Sequence, residues 1–344
     1  MSLRGDGSDR VGRRQAGAGR ALRPRFFLPP EAFGPDDVGD GGIAGREATL
    51  PADDAHHARK VLRARAGEPC EVVLEPYGVL VPAEFVAVGE RVRVRLGVPE
   101  PYAGAPPVHV TLVQALPEPR KMDLVVEKGT EVGVDAFVVV PADGSPALPR
   151  DRLRERVERW RRVARQAAKQ SRQLGVPVVE TAASLQEARD RLAASAGGDG
   201  VRPAGVVLQP GAAESLGSWL DRQRAVLAGD PPAPTVPPAP LAPPAPPVPT
   251  APPAPPAPTA PPVWPVWPAA AAAPVPAALA PFAPPPPALA LALWVGPEGG
   301  WSAGEIGRFA AWGLSLAGLG RRVLRTETAG PVGVAVVRFS LGDW

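Results

Sequence analysis

Apolar and polar positions follow two different rhythms along this chain of 344 residues. Between residues 67 and 96 they alternate, as in Cys70-Glu71-Val72-Val73-Leu74, Ala83-Glu84-Phe85-Val86-Ala87-Val88 and Arg91-Val92-Arg93-Val94-Arg95-Leu96. A period of two turns one face of a strand to a core and the other to water, so this stretch predicts half-buried antiparallel strands. Short strands joined by Gly and Pro turns predict a small barrel. Order begins at Arg25-Phe26-Phe27-Leu28, and residues 56–63 have a helical period. From residue 108 the rhythm changes. Apolar runs at 108–116, 136–140, 176–179, 205–209 and 289–295 alternate with helical segments at 120–132, 152–174, 184–194 and 214–227. Strand, helix and strand at this spacing predict an α/β unit with a parallel sheet.

The helix predicted over 152–174 carries Leu153, Val157, Trp160, Ala164, Ala167, Ser171 and Leu174 on one stripe. Its other faces are charged, with ten basic residues from Arg150 to Arg172 against Asp151, Glu155 and Glu158. Such a local excess points to RNA phosphates as partner, and a solvated arginine face is the alternative. In the C-terminal block, the apolar run 289–295 stops at Gly296-Pro297-Glu298-Gly299-Gly300. Ser302 and Glu305 then have capping-box spacing, which predicts a helix over 303–312 ended by Gly313. A second apolar segment, 314–319, leads into Gly320 and the cationic stretch Arg321-Arg322-Val323-Leu324-Arg325, and Thr326 opens the last helix. Two glycine-bearing loops at strand ends are where open α/β sheets hold ligands.

Composition alters this picture at two places. Prolines number 49 and are concentrated in a Pro/Ala segment over 229–288, which predicts an extended, disordered insertion. Docking arm for an aromatic groove and tolerated surface insertion are both open readings of it. Residues 1–22 combine glycines with Arg4, Arg10, Arg13, Arg14 and Arg20 and predict a disordered basic tail. The net charge of +3 is a weak pointer to an anionic partner. With Cys70 the single cysteine and His56, His57 and His109 the only histidines, neither an intrachain disulfide nor a metal site is expected. No stretch reads as a membrane span or a signal peptide, so a cytoplasmic protein is expected. Neither GxGxxG nor GxxxxGK[ST] is present, which argues against nicotinamide or nucleoside-triphosphate chemistry.

GPEGG at 296–300 joined to LGRRVLRTETA at 319–329 resembles the signature of the ribosomal RNA small subunit methyltransferase E family. KMDLVVEKGTEVG at 121–133, ERWRRVARQAAKQSR at 158–172 and RFFLP at 25–29 resemble further segments of that family, with Gln173 at a position that is often arginine. The resemblance implies a SPOUT-type trefoil-knotted methyltransferase domain over 108–344, broken by the insertion and preceded by a PUA-like RNA-binding barrel over 23–103. S-adenosyl-L-methionine is the implied cofactor. It would be held by Gly296, Glu298, Gly299 and Gly300 in the first loop and Leu319, Gly320, Val323, Leu324 and Thr326 in the second. The implied reaction is methylation of a uridine N3 in small-subunit ribosomal RNA, naked or in the assembled subunit, by a homodimer.

Arg325 is then the candidate for stabilising the oxyanion. Glu327 is a candidate base, or else a helix-capping acid. Arg25, Arg63, Arg65, Arg161, Arg165 and Arg172 are candidate RNA contacts. A related enzyme acting on transfer RNA or on a ribose hydroxyl, and a noncatalytic assembly factor, are the rival readings. On this reading Gly299→Val is expected to abolish donor binding.

Overall fold

The computed structural model describes residues 23–29, 42–75, 77–102, 108–195, 202–227, 275–287 and 289–342. The expected tail 1–22 and most of the expected insertion lie outside the described residues.

Five strands build the N-terminal sheet: β1 (Arg25–Leu28), β2 (Glu47–Thr49), β3 (Pro69–Leu74), β4 (Val79–Val88) and β5 (Val92–Leu96). They lie in the order β1-β3-β4-β5-β2, with β1 parallel to β3 and the other pairs antiparallel. The alternation read from the sequence is the burial pattern: Val92, Val94 and Leu96 are buried while Arg93 and Arg95 face water. A bulge between Phe85 and Ala87 bends the sheet. Among the described residues no ladder joins β1 to β2, so the structure has a bent mixed sheet where a closed barrel was expected. The helical stretch expected at 56–63 starts earlier, as α1 (Ala52–His56), and widens into a π turn, His57–Val61. Cys70 lies in this core, and burial first, then Glu71, pushes its thiol up to about 12, which leaves no thiolate for chemistry near neutral pH.

Part of the expected disordered insertion 229–288 is among the described residues and is structured. Residues 275–287 are ordered, with a 3-10 turn at Ala280–Phe282, and Leu279 is buried in the N-terminal core with Phe282 and Ala283 against it. Apolar burial explains why a proline-rich segment is held here. Leu279→Ala is expected to cost about 2–5 kcal/mol, read by urea unfolding; an unchanged midpoint would mean that the segment does not anchor.

The second sheet has six parallel strands: β6 (Val108–Ala115), β7 (Ala136–Val140), β8 (Val178–Thr181), β9 (Arg202–Leu208), β10 (Leu289–Val295) and β11 (Ser315–Ala317), in the order β11-β9-β10-β6-β7-β8. Helices cover both faces, as the near-continuous apolar strands require. One face packs against α2 (Pro119–Glu131), α3 (Arg150–Gln170), α5 (Leu216–Leu227) and the last helix, α7 (Thr326–Ser340), through Leu112, Met122, Trp160, Leu220 and Val334. The other packs against α4 (Leu185–Ser195) and α6 (Ala303–Ala311), through Val113, Ala188, Trp294 and Phe309. Ser302 and Glu305 form the expected capping box at the start of α6. The fully buried Glu305 also accepts the Asp143 amide at 2.9 Å, which ties the loop after β7 to that helix.

The expected long helix stops at Gln170. Arg172 takes a left-handed φ of 60°, and Leu174 turns away to pack with Phe27, Val73 and Ala168 where the two sheets meet. Ion pairs surround that contact: Arg25 and Arg172 with Glu71, Arg165 with Glu75, and Lys169 with Asp54. Burial raises the pKa of Glu71, but the hydrogen bonds and charges of Arg25 and Arg172 outweigh it and hold the carboxyl below its usual value.

Candidate active site

The strand ends of β9 and β10, the loop after β11 and the first turn of α7 enclose a cleft of about 480 Å3. All eleven residues expected in the cofactor and catalytic sets line it: Gly296, Glu298, Gly299, Gly300, Leu319, Gly320, Val323, Leu324, Arg325, Thr326 and Glu327. Gln209 and Pro210 line it too and belong to no motif read from the sequence, while Lys121, from the 121–133 segment, and Trp301, next to the first loop, line it without having been expected there. Gln209 and Pro210 arrive from the loop after β9, whose distance in sequence hid its neighbourhood in space.

Two glycines shape the first loop. A side chain on Gly296 would come within 3.2 Å of the Gly300 backbone, so the loop folds back on itself closely enough that any Cβ here would push the Gly300 backbone away. Gly300 has a φ of +74°, in the left-handed region. Gly299 is different, because its Cβ would meet no atom within 4 Å and its φ is ordinary. The constraint expected at Gly299 therefore lies at its neighbours.

Glu298 is drawn to the side of the cleft, where it accepts the Glu118 amide at 3.0 Å and the Lys121 ammonium at 2.9 Å. Burial raises its pKa, but these donors outweigh that and leave it below the ordinary carboxylate value. The loop is thus pinned to the start of α2. The second loop is tied from below: Thr326 Oγ1 donates to the Gly296 carbonyl at 2.6 Å, and Gln114 Nε2 donates to Thr326 Oγ1 at 2.9 Å. Gln114 is fully buried on β6. A glutamine inside the apolar run 108–116 was the one signal that could have found it.

Arg325 is the N-cap of α7 and its side chain is 85% exposed, with Glu327 Oε1 4.0 Å away. Glu327 gives no side-chain cap. Its Oε2 atom is buried without a hydrogen-bond partner among the described residues, as is Gln209 Oε1. A cleft with apolar walls, carbonyl and amide edges, an exposed cation in Arg325 and two unanswered acceptors suits an uncharged ring carrying N–H donors.

The arginines expected to meet RNA separate into groups. Arg25 is only 6% exposed and, like Arg165 and Arg172, is committed to the contact between the sheets. Arg161 pairs with Glu158 at 2.6 Å and donates to the Val179 carbonyl. Arg63 and Arg65 are exposed in the loop between the π turn and β3, Arg63 at a φ of 53°. None of the six lines the cleft. On α3, Arg150, Arg152, Arg154 and Arg162 are exposed and make no ion pair with a described residue. Among the described residues no group of three or more His, Cys, Asp or Glu side chains is placed to hold a metal ion, and no helix is long and apolar enough to cross a membrane.

The sequence profile of the RNA methyltransferase domain family matches residues 105–218 and 276–338, just over half of the chain. The chain belongs to this RNA methyltransferase family. Within it, the chain is similar to ribosomal RNA small subunit methyltransferase E of Mycobacterium bovis, at 34% identity over 165 residues, 44% of this chain and 60% of that protein. Its namesake in Bacillus subtilis is 33% identical over 87 residues, 25% of this chain and 34% of that protein. The chain thus matches 60% of the length of the first of these relatives and 34% of the second. A crystal structure of ribosomal RNA small subunit methyltransferase E from Neisseria gonorrhoeae, bound to S-adenosyl methionine, shares the fold with a TM-score of 0.60 at 20% identity, covering 94% of this chain and 99% of that one. The segments matched by the family profile, 105–218 and 276–338, contain both loops of the cleft.

Proposed function

We propose that the cleft binds S-adenosyl-L-methionine and that the protein methylates N3 of a uridine in small-subunit ribosomal RNA. The observation that carries this reading is the convergence of the two glycine-bearing loops, Arg325 and Glu327 on one cleft of a chain in the RNA methyltransferase family. The cleft volume lies within the range of small-molecule sites, roughly 300–1,000 Å3. The unanswered oxygens of Glu327 and Gln209 offer acceptors to a bound nucleoside or amino acid.

The donor's sulfonium supplies an electrophilic methyl group when bound. Gly296, Gly299, Gly300, Leu319, Gly320, Val323, Leu324 and Thr326 bind and orient it with backbone groups and apolar contacts. Glu298 acts beside them by fixing the loop to Lys121. As the N3–C bond forms and the S–C bond breaks, the N3 proton must leave. Glu327 accepts it through its unpartnered oxygen. Arg325 swings over the ring and stabilises the negative charge that spreads onto the uracil carbonyls. A base stacked in a duplex could not reach these groups, so the target is single-stranded or flipped out.

RNA lies along the exposed cations of α3 and along the loop before β3 of the N-terminal sheet, where Arg63 and Arg65 face water, in the manner of a PUA-like module. Arg25, Arg165 and Arg172 hold the two sheets in register instead. The C-terminal loops pass through a trefoil knot, for which the non-sequential strand order β11-β9-β10-β6 is the support. Val332 and Phe339 lie seven residues apart on α7, which packs against α2, and they stay exposed as Leu124 of α2 does, which supports a homodimer closing over them. The protein works in the cytoplasm, where ribosomal RNA is assembled. Isothermal titration with S-adenosylmethionine tests the first step: saturable binding is expected, and no binding heat with folded protein would remove the cleft from this role.

A further inference from the structure

We infer that Gln114 is the positioning residue of the donor site: an interior amide that holds both cleft loops in their working geometry. The inference rests on the reading that the cleft holds S-adenosylmethionine. Gln114 is fully buried near the end of β6, beside Val295 in the adjoining strand β10. Its amide nitrogen faces four oxygens at once: Thr326 Oγ1 at 2.9 Å and the carbonyls of Ala115 at 3.0 Å, Gly296 at 3.3 Å and Val295 at 3.4 Å.

That surrounding fixes the direction of every bond. Three of the four oxygens are carbonyls, which only accept, so the –NH2 end must point at them. The Thr326 hydroxyl has one proton and gives it to the Gly296 carbonyl, so it can only accept from Gln114. Gln114, Thr326 and Gly296 therefore form one directed chain, from the central strand through the first residue of α7 to the base of the glycine loop. Gly296 and Thr326 line the cleft and Gln114 does not. It acts on the ligand through them. The donor end of this network is answered by its oxygens, whereas Gln114 Oε1 is buried without a hydrogen-bond partner among the described residues, so the –NH2 bonds alone set the arrangement. Without the amide, the Thr326–Gly296 bond remains but loses its anchor to β6, so the pair is free to shift relative to the sheet.

Titration calorimetry with S-adenosylmethionine decides the matter. Gln114→Leu, close in size and without donors, is expected to raise the donor Kd about tenfold or more. Thr326→Val cuts the chain at its middle, so Gln114→Leu added to Thr326→Val is expected to cause little further loss. Should Gln114→Leu fail to fold, Gln114→Glu takes its place. Only its protonated carboxyl can donate to Thr326, so its donor affinity is expected to fall as pH rises through the ionisation of the new group, with the wild type flat over the same range. A wild type that binds while Gln114→Leu, or the pH-scanned Gln114→Glu, matches it within about twofold overturns the inference alone. Additive losses in the double variant overturn it as well, because Gln114 would then act elsewhere. A wild type that binds no donor removes the functional reading and this inference together.

Discussion

Gly300→Val is expected to weaken S-adenosylmethionine binding by about 100-fold or more. Gly300 sits at a φ of +74°, a conformation that a β-branched side chain resists strongly. The loop has little room to relax, since it folds back so that a Cβ on Gly296 would lie 3.2 Å from the Gly300 backbone, and the next residue, Trp301, is buried. A changed φ must therefore reshape the cleft wall. Thermal stability should fall too, because a side chain at this positive φ is strained even though a Cβ would meet no atom within 4 Å, so affinity is compared at a temperature where both proteins are folded. Gly299→Ala is the matched control: with an ordinary φ and open space it should bind the donor nearly as the wild type does. Equal loss in both variants would mean that ligand contact, and not backbone conformation, governs this loop.

Arg325→Ala is expected to lower the methylation rate at saturating substrates by about 100- to 1,000-fold, with the donor Kd within about threefold of wild type. The side chain is 85% exposed and has no partner closer than Glu327 at 4.0 Å, so its removal leaves no buried group unpaired and opens no cavity. Its contribution should thus be confined to the charge that develops on the uracil ring. Single-turnover methylation separates the two quantities. A raised donor Kd with an unchanged rate would assign Arg325 to ground-state binding and leave the oxyanion without a stabilising cation.

The parts of this fold that were legible in the sequence are those set by local rules. Ser302 and Glu305 announced their helix because a capping box is complete within four residues. Val92, Val94 and Leu96 announced a half-buried strand because the pleat has a period of two. The two loops of the cleft were also legible, since their residues are contiguous in sequence. Properties fixed by distant partners were hidden. Arg25 and Arg172 look like surface cations until Glu71 is seen between them. Leu174 continues the periodic stripe of α3, yet it leaves the helix because Arg172 adopts a left-handed turn and apolar surface of the other sheet is available. Leu279 is one apolar residue among prolines and alanines, and only the N-terminal core gives it a place. Gly299 and Gly300 are indistinguishable as letters, and the backbone alone tells them apart. Gln114 carried a trace of its role as a polar residue within an apolar strand, but three of its four partners lie 181 to 212 positions away in the chain.

The central claim is tested most directly by nucleoside mass spectrometry of small ribosomal subunits that lack the modification, after incubation with the purified protein and S-adenosylmethionine. The account predicts new 3-methyluridine that depends on the donor and is lost with Arg325→Ala. Donor binding without any 3-methyluridine, or a 2'-O-methyl nucleoside in its place, would contradict the assignment of uridine N3 as the acceptor.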